Sequence, residues 1–147
     1  MLYSASGSLP AGTYWNPFRA PSGGLLDSMF DAEMPLPWLS EQDVAEYAES
    51  FRRSGFRGGF NWYRNIHRNW ELLAPFTHAV IRQPSMFVAG ERDGVLRMPG
   101  MKSAVDNIKQ LLPGVRKSEI IPGVGHWVQQ EAPERINALL LEFLQGL

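Results

Sequence analysis

An amphipathic pattern begins directly after Ser40. A carboxylate, Asp43, stands at the third position after this serine, and Gly55 follows the last apolar residue of the stretch. A serine with a carboxylate three residues later is the arrangement of a capping box, and glycine commonly ends a helix. Between them, apolar residues recur at helical intervals of three and four: Val44, Tyr47, Ala48 and Phe51. The pattern predicts a helix between Ser40 and Gly55.

A second helical pattern, rich in aromatic residues, covers residues 60–75. Asn61 is a possible cap at its start, and Pro75 ends it. Residues 1–37 precede both patterns and are rich in Gly, Pro and Ser, with one short apolar stretch near Leu25. That composition is typical of loops and predicts at most one turn of helix there.

The pattern changes at Pro84. Residues 85–90 form a short apolar run bounded by Pro and Gly, which predicts a buried parallel strand. A helical pattern follows over residues 100–112, then a short strand over 117–121 and a last helix from Pro133. The order strand, helix, strand, helix is that of the end of a doubly wound α/β sheet. We therefore divide the chain into residues 1–78 and residues 79–147.

A parallel sheet of two strands is incomplete. Such a sheet needs cover on both faces, and a lone pair of strands is marginally stable in water. Its free edge offers unpaired N–H and C=O groups to another chain. We therefore expect the chain to self-associate through the incomplete sheet, or to have the sheet completed by other polypeptide.

Charge and cysteine content exclude several classes of function. Fourteen basic and fifteen acidic residues give a formal charge of −1, so no cationic surface for nucleic acid is expected. The chain has no cysteine, which excludes disulfides and thiolate chemistry and fits a cytoplasmic location. No basic segment followed by an apolar run opens the sequence, and no apolar stretch approaches the roughly 20 residues that span a bilayer. We expect neither an export signal nor membrane insertion.

Two residues that could perform chemistry follow the two predicted strands. Asp93 comes just after the first strand and His126 just after the second, each in a loop that contains glycine. The carboxyl ends of parallel strands carry functional side chains in α/β sheets. Taken alone, Asp93 is equally well interpreted as an ordinary turn residue. A lone loop histidine such as His126 is more often a surface or structural residue. Together, an acid followed by a histidine matches the last two members of a hydrolase triad, with Asp93 orienting the imidazole and His126 acting as base.

Metal and cofactor sites find no support in the sequence. His67 and His78 have no partner at ligand spacing, and no HExxH motif or carboxylate cluster is present. The glycine-rich segments SGG and RGG do not stand between a strand and a helix, as a phosphate loop would. We expect no metal and no cofactor.

Three motifs carry a resemblance to a known family: GGFNWYRN, GERDGV and GHWVQQEAPERIN. From about Leu36 to its end, the chain resembles the C-terminal half of an α/β-hydrolase-fold epoxide hydrolase. The resemblance implies an α/β fold class, namely the last two parallel strands of that fold with flanking helices, preceded by part of a helical lid. Residues 1–78 would be the partial lid and residues 79–147 the C-terminal βαβα part of the core. It also implies a small-molecule epoxide substrate.

The resemblance assigns roles to individual residues. Asp93, His126 and Tyr63 would be catalytic, with Trp62 and Trp127 contacting substrate. Opening an epoxide places negative charge on the ring oxygen, to which a protonated phenol such as Tyr63 can donate. Without the resemblance, the aromatic surroundings of Tyr63 favour a packing role instead.

The family mechanism also needs residues that this sequence does not offer. The resemblance implies an aspartate nucleophile that forms an alkyl ester with the substrate, and its strand-to-helix turn would precede residue 1. A second lid tyrosine is not identifiable, and neither Tyr3 nor Tyr14 is assigned to that role. The chain alone is therefore expected to be inactive.

Two other interpretations stay open. Haloalkane and haloacid dehalogenases use the same Asp, His and acid on this fold but stabilise a halide with Trp donors, for which Trp62 and Trp70 are candidates. The chain is alternatively a non-catalytic module that binds a partner, such as a second copy of itself. Halide release would favour the dehalogenase interpretation. An inactive dimer that unfolds cooperatively would favour the non-catalytic module.

Overall fold

A computed structural model describes residues 1–16, 24–32 and 34–147 of the chain. These divide into two compact units. We call Met1–Glu33 together with Ile81–Leu147 the sheet unit, and Met34–Val80 the helical unit. The division differs from the expected one, which placed all of residues 1–78 in a lid. Residues near the N-terminus group with the C-terminal residues because they hydrogen-bond to them, as the 2.8 Å bond from the His126 amide to the Ala5 carbonyl illustrates.

The helical unit contains three α-helices: α1 at Glu41–Ser54, α2 at Arg57–Arg64 and α3 at Ile66–Leu72. The predicted capping box of α1 is confirmed, since Ser40 Oγ accepts from the Asp43 amide at 3.1 Å and Asp43 Oδ2 accepts from the Ser40 amide at 2.8 Å. The prediction of a single helix over residues 60–75 is wrong, because two helices, α2 and α3, cover most of this range. Helix α2 starts at Arg57, which places Asn61 inside it rather than at its cap.

An asparagine interrupts the predicted helix. Asn65 separates α2 from α3, and its side-chain Nδ2 donates to the Asn61 carbonyl at 2.7 Å. Asn107 does the same in the sheet unit, donating to the Ser103 carbonyl at 2.9 Å between two short helices. A side-chain amide that binds the carbonyl four residues earlier competes with the helical backbone. The apolar periodicity that predicted both helices carries no information about this competition.

The sheet of the sheet unit has two strands in the described part of the chain: β1 at Ser85–Gly90 and β2 at Val115–Ile121. They pair in parallel, with Val88 opposite Glu119 and Gly90 opposite Ile121. The predicted order of strand, helix, strand and helix is therefore confirmed. Strand β2 begins two residues earlier than predicted, and only Ala89 and Gly90 of β1 are buried, which reflects how little covers a sheet of this width.

The helices of the sheet unit connect and follow the strands. Helices α4 at Met101–Asp106 and α5 at Ile108–Leu111 join β1 to β2. Helix α6 at Val128–Glu131, which the sequence did not predict, precedes α7 at Pro133–Gln145. Among the described residues the buried apolar side chains of this unit come from distant parts of the chain: Leu9, Ala89, Ile121 and Leu139. The core thus joins the N-terminal segment (residues 1–16), both strands and α7.

Ion pairs fix α7 beside β2. Arg135 binds Glu119 with N–O distances of 2.6 and 2.5 Å, and Lys117 binds Glu142 at 2.5 Å. Exposed pairs of this kind contribute little to stability, because solvent screens them. They orient the helix, while the apolar contacts supply most of the stabilisation.

Candidate active site

The carboxylate of Asp93 is held in one orientation at the end of β1. Asp93 caps the short 3-10 helix Gly94–Arg97, and its Oδ1 accepts a hydrogen bond from the Val95 amide at 2.8 Å. The residue is buried, with 9% of its surface exposed. One oxygen is thus committed to the backbone, which leaves Oδ2 for a side-chain partner.

That partner is His126, which follows β2. Its Nδ1 lies 3.0 Å from Oδ2 of Asp93. An ionised carboxylate can only accept hydrogen bonds, so the proton lies on Nδ1 and leaves Nε2 of a neutral imidazole unprotonated. The histidine side chain is 44% exposed, and the indole of Trp127 stands edge-on to its ring at a centroid distance of 5.0 Å. The imidazole is therefore oriented and still reachable from solvent.

The contact between Asp93 and His126 shifts the pKa of both side chains. The hydrogen bond to Asp93 raises the pKa of His126; partial burial opposes the shift, and the negative charges of Asp93 and Glu131 add to it. Burial acts to raise the pKa of the Asp93 carboxyl, but hydrogen bonds from His126 and Val95 outweigh it, so this pKa lies below its usual value. Asp93 is consequently ionised at neutral pH, the state in which it stabilises an imidazolium.

Close backbone packing brings the two loops together. The Glu91 amide donates to the Ile121 carbonyl at 2.9 Å, and the Arg92 amide donates to the Val124 carbonyl at 2.8 Å. A Cβ on Gly90 would lie 2.2 Å from the carbonyl oxygens of Val124 and Gly125, so only glycine fits there. The glycines of the two motifs therefore bring the acid and the histidine within hydrogen-bonding distance.

Comparisons with known proteins agree with the motifs. Epoxide hydrolase A of Mycobacterium tuberculosis is 40% identical over 124 residues, covering 84% of this chain and 37% of the relative. An epoxide hydrolase of Caballeronia sordidicola is 37% identical over a 153-residue alignment, covering 99% of this chain and 43% of the relative. The solved structure of potato (Solanum tuberosum) epoxide hydrolase I matches with a TM-score of 0.78 at 36% identity.

The chain is homologous to the C-terminal part of the α/β-hydrolase-fold epoxide hydrolases. This confirms the resemblance read from the motifs and the expected fold class. No protein-family model matches the chain. The potato match covers 86% of this chain and 41% of the potato protein, so these 147 residues span well under half of the epoxide hydrolases they match.

Sequence reasoning missed two residues around the Asp93–His126 pair. The Glu131 carboxylate accepts from the amides of Gly125 and Trp127, on either side of His126. Arg92, next to Asp93, donates to the carbonyls of Leu9 and of Pro10 at 2.5 and 2.8 Å. Both bind backbone groups rather than side chains, and such contacts leave no motif. The only available signal was the clustering of glycines in the segments that they join.

Tyr63 and Trp62 lie on α2 in the helical unit, whereas Asp93, His126 and Trp127 lie in the sheet unit. Tyr63 is 63% exposed and Trp62 is 79% exposed, so neither is buried in an aromatic core. Nearby, Phe51 and Phe56 stack with ring centroids 4.5 Å apart. Trp127, by contrast, is anchored, because its Nε1 donates to the Leu2 carbonyl at 2.9 Å.

The described residues contain no group of three or more His, Asp or Glu side chains that could hold a metal ion. Within the same ranges, no helix is long and apolar enough to cross a bilayer.

Proposed function

We propose that this chain supplies the histidine base, its aspartate partner and one lid tyrosine of an epoxide hydrolase. The observation that carries the proposal is the 3.0 Å contact between His126 Nδ1 and Asp93 Oδ2, in a chain homologous to epoxide hydrolases. The reaction is the addition of water to a small-molecule epoxide, which yields a vicinal diol.

The proposed mechanism has two steps. An aspartate outside these 147 residues attacks an epoxide carbon, the C–O bond of the ring breaks, and an alkyl-enzyme ester forms. Tyr63 donates to the departing ring oxygen and stabilises its charge. A water molecule then attacks the ester carbonyl carbon, His126 Nε2 takes one of its protons, and Asp93 stabilises the imidazolium. The ester C–O bond breaks, the imidazolium returns the proton to the departing oxygen, and the diol leaves the regenerated aspartate. Trp62 and Trp127 would contact the substrate.

The proposal is tested by restoring the upstream sequence. The chain is fused behind the N-terminal part of Mycobacterium tuberculosis epoxide hydrolase A, and conversion of styrene oxide to its diol is followed. We expect turnover by the fusion, none by the 147-residue chain alone, and none by a fusion carrying His126→Ala. A correctly folded fusion without epoxide hydrolysis would contradict the proposal. Halide release from a haloalkane in place of diol formation would favour the dehalogenase alternative.

Tyr63→Phe in the fusion is expected to lower kcat/KM for epoxide opening about 10²- to 10³-fold, because the variant loses a donor to the developing oxyanion. Steady-state kinetics on styrene oxide measure the loss. Tyr47→Phe removes a phenol from the same unit and is expected to leave kcat/KM within about twofold, as surface substitutions usually do. Equal kinetics for the Tyr63 variant and the parent would remove Tyr63 from the mechanism.

We also propose that the chain alone self-associates through its incomplete sheet. In the described part of the chain, β1 and β2 each have one partner strand, and an unpaired strand edge readily pairs with another chain. Light scattering is expected to give a mass above 16.6 kDa that rises with concentration. Ser118→Lys, at an exposed position of β2, should lower that mass, whereas Gln145→Lys at the end of α7 should not. A monomer at all concentrations would contradict self-association.

A further inference from the structure

The Glu131 carboxylate gathers three backbone amides from two distant parts of the chain. Its Oε2 accepts from Gly7 at 2.7 Å and from Gly125 at 3.0 Å, and its Oε1 accepts from Trp127 at 3.1 Å. Both oxygens are therefore occupied by N–H donors. Hydrogen bonds to an ionised acceptor are roughly twice as strong as those between neutral groups.

The positions of these amides relative to His126 are what matters. Gly125 and Trp127 are the residues directly before and after the histidine, so one carboxylate fixes the backbone on both of its sides. The third amide, that of Gly7, belongs to the N-terminal segment. In the same segment, the Ala5 carbonyl accepts a hydrogen bond from the His126 amide. The backbone of His126 is thus held from three directions.

Gly7 also links this arrangement to the aspartate loop. Its amide binds Glu131, and its carbonyl accepts a hydrogen bond from Arg92, the neighbour of Asp93. A Cβ at Gly7 would lie 2.1 Å from the Gly123 carbonyl oxygen, so the segment approaches the histidine loop as closely as a backbone can. The loops that carry Asp93 and His126 are therefore tied to one common residue.

We propose that Glu131 is a positioning residue for His126: by binding the amides on either side of the histidine and joining them to the N-terminal segment, it holds the imidazole against Asp93. The consequence for catalysis rests on the proposed function, whereas the positioning itself does not. Misplacing a catalytic group by about 1 Å costs about 10²-fold in rate, which is why such an anchor matters.

The charges near His126 give this arrangement a measurable effect on the pKa of the imidazole. Among the residues that the structure describes, Asp93 and Glu131 are the charged groups whose charges act on the His126 ring. Asp93 raises the pKa of the imidazole through its hydrogen bond and its charge, and the Glu131 carboxylate adds a further negative charge. Removing the Glu131 charge is therefore expected to move the titration of His126 to lower pH.

The first test is an NMR titration of the His126 ring in the 147-residue chain. Glu131→Gln keeps the size of the side chain but removes its charge and replaces one acceptor oxygen by a donor. We expect the His126 midpoint to shift to lower pH in this variant. Glu134→Gln, an exposed residue on the first turn of α7, removes the same charge three residues away and is expected to leave the midpoint unchanged. Equal midpoints in the parent and Glu131→Gln would overturn the proposal.

Glu131→Asp separates position from charge. The shorter side chain keeps the negative charge but cannot reach all three amides, so we expect faster hydrogen exchange at Gly7, Gly125 and Trp127. Loss of a hydrogen bond to a charged acceptor corresponds to about tenfold or more in exchange rate for amides that exchange by local opening. Unchanged exchange at all three amides would contradict the positioning role.

A measurement on the parent protein covers the case in which a variant does not fold. Hydrogen exchange of the Gly7, Gly125 and Trp127 amides is measured in the parent protein over a series of low urea concentrations, and we expect one common opening free energy for all three, because the same carboxylate holds them. Three different opening free energies would overturn the proposal. None of these measurements uses an epoxide, so failure of Glu131 as an anchor is distinguishable from failure of the fusion to turn over substrate.

Discussion

Asp93→Asn is expected to lower epoxide hydrolysis by the fusion about 10⁴-fold, the loss typical of a hydrolase triad whose histidine is held in the wrong tautomer. The structure gives the reason. Oδ1 of Asp93 already accepts from the Val95 amide, so the asparagine carbonyl will keep that place and turn its NH₂ group towards His126. Nδ1 must then accept, the proton moves to Nε2, and the base is blocked.

Single-turnover kinetics locate this defect. Loss of the base slows hydrolysis of the alkyl-enzyme ester, so the Asp93→Asn fusion should accumulate that ester, which mass spectrometry detects as the mass of the added epoxide. Asp106→Asn makes the same change at an exposed residue paired with Lys102 and is expected to leave turnover within about twofold. An Asp93→Asn fusion that hydrolyses epoxide as fast as the parent would exclude Asp93 from the reaction.

Leu139→Ala is expected to lower the free energy of unfolding by about 2–5 kcal/mol, the usual cost of removing a large buried side chain. Leu139 has 0% of its surface exposed, and it lies on α7 in a core with few fully buried side chains. Most domains are stable by only about 5–15 kcal/mol. The loss therefore removes a large share of the stability of the sheet unit.

Urea unfolding followed by circular dichroism measures this loss. The curves are recorded at several protein concentrations, since self-association contributes to apparent stability. Leu141→Ala makes the same truncation on the same helix at a side chain that is 60% exposed and is expected to cost about 0.5 kcal/mol or less. Equal losses for the two variants would mean that α7 does not dock through Leu139.

Local signals in the sequence predicted the elements whose causes are local. Ser40 and Asp43 predicted the start of α1, because a capping box is formed by residues three positions apart. Pro84 and Gly90 bound a short apolar run that is β1. The same reasoning missed the interruptions at Asn65 and Asn107, where a side-chain amide competes with the helix for a backbone carbonyl. The apolar periodicity indicates which face of a helix is apolar and contains no information about that competition.

In the candidate site, too, the sequence predicted some residues and missed others. The order of Asp93 and His126 after successive strands is visible in the sequence because parallel strands end at the same edge of a sheet. Arg92 and Glu131 were not visible, since their partners are backbone groups. The carbonyls bound by Arg92 lie more than 80 residues away in the chain, and the Gly7 amide bound by Glu131 lies more than 120 residues away. A carbonyl or an amide is the same at every residue, so no side-chain pattern marks the one that will be used.

The sequence by itself determined the α/β class, the order of the last two strands, the acid and histidine that follow them, and the resemblance to epoxide hydrolases. Only the tertiary structure decided that the N-terminal segment packs with the sheet unit, where Gly7 joins Glu131 to Arg92. The physical reason is the range of the interactions. Helix caps, turns and apolar periodicity arise between residues that are close in the chain. The place where a backbone segment packs depends instead on the folded molecule, which must have space for the segment and hydrogen-bond donors and acceptors that match those of its backbone.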